Sequence, residues 1–487
     1  PSGQPRRGLG WDIDSPYSGI RGSIFPIGGF GHTGWTGPSL WIDPFSGTFL
    51  VFMSNRNHPT EDGNVIPLRR ELATLAAEAV KHFNFAGVPG ALAPEPPKAP
   101  ASPAPKTAPP GTPVLNGIDV LVRDGFQPLR GLKIGLVTNQ TGRDRRRRLS
   151  LDLLKEAPEV QLVALFSPEH GIRGLLDQEK IGDTVDAQTG LPIYSLYGER
   201  RAPTPEQLAG LDALVFDIQD IGTRFYTYIS TLGNCLEAAA RAGKKVIVLD
   251  RVNPITSRVE GPVSSGERSF VAWHEIPLRH GLTVGELARL FNAERELGAD
   301  LVVIPVDGWK PDQWFDDTGL PWVNPSPNMR SLTQATLYPG VALLEFCALS
   351  VGRGTDTPFE LLGAPYIDDL QLAAELNRAS LPGVRFVPVR FTPKSSTFAG
   401  KECGGVQVLL TDRKAFRAAD LGIVLASTLQ RLHPGDLQVE RMGRLLMSPP
   451  VLQAIQAGRS LGEIRALWTQ DLARFEERRK PFLLYPR

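Results

Sequence analysis

Four short apolar runs in this chain each end in a cluster of polar side chains. Residues 132–137 lead into Thr138-Asn139-Gln140, and residues 162–166 into Ser167-Pro168-Glu169-His170-Gly171. Residues 213–216 lead into Asp217-Ile218-Gln219-Asp220, followed by Arg224, Tyr226 and Tyr228, and residues 246–249 into Asp250-Arg251-Val252-Asn253. Carboxylates gathered with phenols and amides suit hydrolysis of a glycosidic bond. One carboxylic acid protonates the leaving oxygen, and a second carboxylate serves as base or nucleophile. Glu169 with Asp217 or Asp220 can supply both, and Tyr226 and Tyr228 can offer ring faces or hydroxyls to a sugar. Glu169 follows directly on an apolar run, where partial desolvation favours the protonated acid near neutrality. Plainer roles exist for the neighbours. Asn139 can close an Asx turn, and Asp217 and Asp250 can cap helices or pair with Arg224 and Arg251.

These clusters need a frame that brings them together. Apolar runs at 132–137, 162–166, 213–216, 246–249 and 301–304 are spaced by helical patterns, clearest at 231–242 and 284–297. Strands alternating with helices make right-handed βαβ units and a parallel sheet covered on both faces. In such an open α/β sheet, ligands bind outside the carboxyl ends of the strands, where the four clusters fall. Past residue 325 the alternation weakens. Strand-like stretches at 384–391 and 406–410 precede helical patterns, so a second, smaller α/β subdomain is expected over 326–487.

The sharpest boundary lies earlier. Ten of the 25 residues from 89 to 113 are Pro and six are Ala, a composition that favours an extended spacer. The chain therefore divides into a module at 1–86, a linker at 87–113, a sheet subdomain at 114–325 and the smaller subdomain. The module reads as short strands followed by one helix carrying Leu68, Leu72, Leu75, Ala79 and Phe83 on one face. Its core is thin, which suggests part of a larger domain. The chain begins at Pro1, not Met, and no signal-peptide pattern follows, so a fragment or processed product is expected.

Composition narrows the function classes. Among 487 residues the formal net charge is +1, which gives no basic footprint for nucleic acid. No apolar run approaches a membrane span. Cys235, Cys347 and Cys403 are far apart and read as buried free thiols, and seven scattered His offer no metal-ligand spacing, so no metal or cofactor is expected. Gly29, Gly31 and Gly34 match a dinucleotide fingerprint only formally, since no βαβ unit surrounds them. The arginine run at 145–148 reads as a solvated helix start.

Longer stretches carry a resemblance. Residues 166–174 (Phe-Ser-Pro-Glu-His-Gly-Ile-Arg-Gly), 215–228, 249–254, 324–329 (Asn-Pro-Ser-Pro-Asn-Met) and 352–360 (Gly-Arg-Gly-Thr-Asp-Thr-Pro-Phe-Glu) follow one another in order. With them, residues 114–487 resemble the NamZ-like exo-β-N-acetylmuramidases, a glycoside hydrolase family. The resemblance implies a Rossmann-like parallel sheet subdomain plus a smaller α/β subdomain, with the active cleft between them. It implies release of N-acetylmuramic acid from the non-reducing end of peptidoglycan-derived muropeptides or disaccharides, and maps the family's central glutamate onto Glu169. The site expected with it has Glu169, His170, Asp217 and Asp220 in the chemistry, Asp217 or Asp220 either activating water or orienting the substrate's own acetamido group. Asn139, Arg173, Arg224, Tyr226, Tyr228, Asp250, Arg251, Asn253, Asn324, Arg353 and Thr355 surround the sugar. Arg224 and Arg353 are the candidates to hold the lactyl carboxylate of muramic acid, because an arginine fork fits a carboxylate. A peptidoglycan substrate puts the expected location in the periplasm or outside the cell.

Residues 1–86, with Phe30-Gly31-His32-Thr33-Gly34-Trp35, resemble the C-terminal end of a penicillin-binding-protein-like serine hydrolase of the class C β-lactamase group. The module is then a β-α fragment of a serine hydrolase domain. No Ser-x-x-Lys and no Tyr-x-Asn occurs in the chain, so acyl transfer is not expected of it as it stands. The rival to a glycosidase is a non-catalytic muropeptide-binding module attached to an upstream hydrolase. It would keep the aromatics and arginines but has no need of a proton donor at Glu169. Nucleotide binding by the sheet would rest on fold analogy alone.

Overall fold

A computed structural model describes residues 6–14, 18–55, 65–92, 113–169, 171–172, 182–198 and 200–486. The Pro/Ala-rich spacer falls largely outside the described residues, as do His170 and Arg173. The chain forms two compact units, 1–109 and 110–487.

The first unit is a five-stranded antiparallel sheet in sequential order: β1 (Arg6–Gly8), β2 (Trp11–Asp14), β3 (Phe30–Thr33), β4 (Ser39–Asp43) and β5 (Thr48–Phe52). One helix, α1 (Ile66–Ala79), follows. The helix does not bury the face expected from its leucines. Leu68 and Leu75 are exposed, and the buried stripe is Arg69, Ala73 and Ala77. Small residues let the helix lie close, and the Arg69 guanidinium donates to the Gly37 and Pro38 carbonyls. A buried arginine with backbone acceptors thus outweighs an apolar stripe in setting the helix rotation.

The second unit is built on a seven-stranded sheet. Its strands are β6 (Lys133–Thr138), β7 (Gln161–Ser167), β8 (Thr184–Val185), β9 (Pro192–Ser195), β10 (Ala213–Asp217), β11 (Lys245–Leu249) and a strand at Leu301–Ile304. The order runs from Leu301–Ile304 through β11, β10, β6, β7 and β9 to β8, with every pair parallel except β8–β9. Chain direction across the sheet reverses between β6 and β10. Alternation along each strand feeds two cores. Ala213 and Val215 pack with Ile118 and Leu121 of α2 (Gly117–Arg123) and with Leu151 and Leu154 of α3 (Ser150–Glu156). Leu214 and Phe216 face the other way, toward Leu232 and Leu236 on a helix at Tyr228–Arg241 and Leu287 and Phe291 on one at Val284–Glu294. Strands buried on both faces explain why these runs are apolar throughout.

The remainder adds a three-stranded antiparallel sheet of Leu361–Ala364, Cys403–Leu410 and Val384–Phe391, in that spatial order. A helix at Asp369–Arg378 lays Leu372 and Leu376 against it. Helices Leu332–Val341 and Ala418–Leu432 touch at Gly340 and Gly422, where a Cβ on Gly340 would fall 2.2 Å from the Ala418 carbonyl oxygen. One hydrophobic core runs from the parallel sheet into this part.

The end of the chain returns to the parallel sheet. After the helix Leu461–Arg479, the Leu484 amide donates to Glu286 at 3.0 Å. The Tyr485 hydroxyl accepts from the Val306 amide at 2.8 Å and donates to Asp250 at 2.5 Å. Asp250 also accepts from the Gly285 amide, the Thr283 hydroxyl and the Arg251 amide. Full burial pushes its carboxyl up to about 6, against the pull of those donors. A raised folded-state pKa means the folded protein holds this proton more tightly than the unfolded chain. Its stabilisation is complete below about pH 4 and is lost as pH rises through 6. Urea unfolding of the wild type and Asp250→Asn at pH 4 and pH 7 should therefore differ. The wild type should lose on the order of 2–3 kcal/mol more over that interval; parallel losses would remove Asp250 as the titrating group.

Candidate active site

A cavity of about 840 Å³ opens where the two parts of the second unit meet. The first part contributes Glu169 from just past β7, Tyr226 and Thr227 from the loop after β10, and Tyr228 from the start of the helix that follows. The second contributes Ser326, Tyr338, Glu345 and Arg353.

Glu169 is half-buried and leaves β7 after Ser167-Pro168. The Thr227 hydroxyl donates to its Oε2 at 2.5 Å, fixing the carboxyl against the start of the helix Tyr228–Arg241. Behind it stands a phenol cluster. The Tyr226 ring meets Tyr228 edge-on at 5.1 Å and Tyr338 at 5.7 Å, and Tyr338 meets Phe359 at 4.7 Å. Burial pushes the phenols of Tyr226, Tyr228 and Tyr338 well above their usual range. They stay neutral at any working pH and can act as hydrogen-bond donors. The Tyr228 hydroxyl donates to the Pro325 carbonyl at 2.6 Å, and the Gln140 amide donates to the carbonyls of Asn324 and Pro325. These bonds stitch the loop bearing Ser326 to the strand ends. From the second part, Arg353 pairs with Glu345 at 2.5 Å.

Of the residues singled out in the sequence, Glu169, Tyr226, Tyr228 and Arg353 line this cavity. Most of the others turn away from it and brace the loops. Asp217 is fully buried, and its two oxygens accept from Arg251 Nε at 2.6 Å and Nη2 at 3.0 Å, with the Ser150 hydroxyl on one of them. This pair sits at the β6/β10 reversal, and its fork consumes the groups expected to meet substrate. Asp220 is also buried; its Oδ2 accepts from the Gly222 amide at 2.6 Å and pairs with His280 at 3.1 Å. The Leu282 amide donates to His280 Nδ1, so Nε2 carries the proton given to Asp220. Asn139 closes an Asx turn, accepting from the Thr141 amide and hydroxyl, and lies beside the Tyr228 hydroxyl. Asn253 holds its own turn through the Leu282 carbonyl and the Ile255 amide.

The expectation for Arg224 needs correction. It is 1 % exposed, and its guanidinium donates to the carbonyls of Pro262, Ile276, Leu445 and Leu446. It fastens the two parts together and leaves no fork for a ligand. Asn324 accepts from the Trp322 indole, and the Thr355 hydroxyl donates to the Gly352 carbonyl, so both serve their own turns. Thr227, Ser326, Tyr338, Glu345 and Arg201 were not legible as cavity residues. Thr227 had one usable signal, its position between the two tyrosines.

A glutamate, neutral phenols and an arginine–glutamate pair in a cleft beside a doubly covered parallel sheet suit the cleavage of a carbohydrate. The comparisons specify the class of protein. The family model for the N-terminal part of the exo-β-N-acetylmuramidase NamZ matches residues 134–333, and that for its C-terminal part matches residues 336–485. The chain belongs to the NamZ exo-β-N-acetylmuramidase family of glycosidases. It is 44% identical over 378 residues to the peptidoglycan β-N-acetylmuramidase NamZ of Bacillus subtilis (strain 168), covering 76% of this chain and 91% of that protein. Two DUF1343 family crystal structures from Bacteroides fragilis NCTC 9343 are similar, with TM-scores of 0.72 and 0.65 and identities of 37% and 32%. Each comparison covers 77% of this chain and 99% of the other. Residues 1–75 match the β-lactamase family model. Among the described residues no helix is long and apolar enough to cross a membrane.

Proposed function

We propose that this chain removes terminal β-linked N-acetylmuramic acid from peptidoglycan fragments, with Glu169 as the proton donor to the leaving oxygen. The observation that carries this reading is the placement of Glu169. It is half-buried at a strand end, fixed by Thr227, and faces a cavity large enough for a sugar unit and its neighbour. The family and the Bacillus relative supply the substrate class. The neutral phenols of Tyr226 and Tyr338 can hydrogen-bond sugar oxygens without competing for the acid's proton, whereas Tyr228 gives its own to the Pro325 carbonyl. Action on peptidoglycan puts the work of the chain in the periplasm or outside the cell.

Asp217 is committed to Arg251, so it contributes to this reaction by holding the strand ends. Asp220 acts at one remove, through the loop that carries Tyr226 and Thr227. The test is release of nitrophenol from para-nitrophenyl β-N-acetylmuramide beside the matching glucosaminide. Release from the muramide alone is expected. No release from either, with muropeptide still bound, would overturn the hydrolase reading in favour of a binding module.

A further inference from the structure

A muramide differs from a glucosaminide by a lactyl ether that ends in a carboxylate. The cavity must therefore receive an anion although Glu169 and Glu345 already line it. Its arginines are not equivalent. Arg353 is ion-paired with Glu345, so that pair is close to neutral. Arg201, from the loop between β9 and the helix Pro205–Ala209, also lines the cavity. No carboxylate among the described residues lies within ion-pair distance of it. Its guanidinium is stacked 4.3 Å over the ring of Phe270, another lining residue. Cation–π attraction to a ring leaves the guanidinium its N–H donors, which can fork onto a carboxylate.

The platform is built from two loops and clamped by one residue. Asn234, on the helix Tyr228–Arg241, donates through Nδ2 to the Arg201 carbonyl at 2.8 Å. Its Oδ1 accepts from the Trp273 indole, three residues beyond Phe270, also at 2.8 Å. Trp273 lies flat on that helix at Gly233, where a Cβ would come within 2.3 Å of the ring. Arg268 covers the Trp273 ring at 4.3 Å. The loop bearing Arg201 and the loop bearing Phe270 are thus held in register before any ligand arrives.

We infer that Arg201, stacked on Phe270, is the specificity-determining residue that binds the lactyl carboxylate of the muramyl group. The inference rests on the proposed muramidase reading and deepens it. It replaces Arg224, which is sealed among carbonyls, and gives Arg353 the separate task of neutralising Glu345.

Binding tests this apart from catalysis. Calorimetric titration would use N-acetylmuramic acid, its methyl ester and N-acetylglucosamine, on the full chain and on Arg201→Gln and Arg201→Lys. In Arg201→Gln, affinity for the acid should fall about 10- to 100-fold, the worth of a charge-assisted fork. Affinities for the ester and for N-acetylglucosamine should stay within about twofold. Arg201→Lys should recover part of the loss, because the charge returns without the fork. Unchanged binding of the acid by Arg201→Gln, an equal loss for the ester, or a wild type that does not prefer acid over ester would each overturn the inference. A wild type that binds the acid through Arg201 yet releases no nitrophenol would sink the hydrolase reading and leave this one standing.

Discussion

Glu169→Gln should lower kcat on a muramyl disaccharide by about 10²- to 10⁴-fold, the usual worth of a positioned proton donor. Glutamine keeps the shape and still accepts from Thr227, so KM should move little and the fold should be intact. The diagnostic lies in the leaving group. A sugar alkoxide needs a proton as the bond breaks, whereas a dinitrophenolate leaves with little help. The deficit of Glu169→Gln should therefore shrink steeply from disaccharide to nitrophenyl to dinitrophenyl substrate. A residue that merely shaped the cavity would cost the same on all three. A deficit below tenfold on the disaccharide, or one independent of the leaving group, would remove Glu169 from the role of acid.

The second large effect concerns stability. Asp217 and Arg251 have side chains 0% and 4% exposed, so each is affordable only with the other. Removing one partner leaves a buried charge without compensation, at a cost of about 3–5 kcal/mol. Asp217→Leu and Arg251→Met should each show this in chemical denaturation, and the double variant should lose much less than the sum. Additive losses, or a single-variant loss under about 1 kcal/mol, would mean the pair does not brace the sheet. Activity separates the structural role from a catalytic one. Well below the unfolding transition, kcat of Asp217→Leu should remain within a few-fold of wild type once corrected for the folded fraction. A water-activating carboxylate would cost orders of magnitude there.

The parallel sheet was legible because both of its faces are buried, which writes each strand as an unbroken apolar run ended by polar residues. The set of loops at the carboxyl edge was legible for the same reason. The direction in which each polar side chain turns was not. Asp217, Asp250 and Asn253 sit at strand ends with Glu169, and one-dimensional spacing does not distinguish a carboxylate aimed into a cavity from one that answers backbone amides. Arg224 misled because its sequence neighbours, Tyr226 and Tyr228, do reach the cavity while its own fork meets four carbonyls. Arg201 lacked a signal of its own: its role depends on Phe270, which only the folded chain brings beneath it. In α1 the leucines suggested one face, and Arg69 with two alanines chose another.

The return of Tyr485 to Asp250 sets a timetable for synthesis. The two residues are 235 positions apart, so a ribosome adding ~5–20 residues per second needs about 10–50 s between them. For that interval Asp250, at the end of β11, lacks the hydroxyl that later joins it to the Val306 amide. The first half of the unit can therefore collapse early but reaches its final hydrogen bonding only after the second half has been made. Folding of the two parts is coupled through the last partner to arrive.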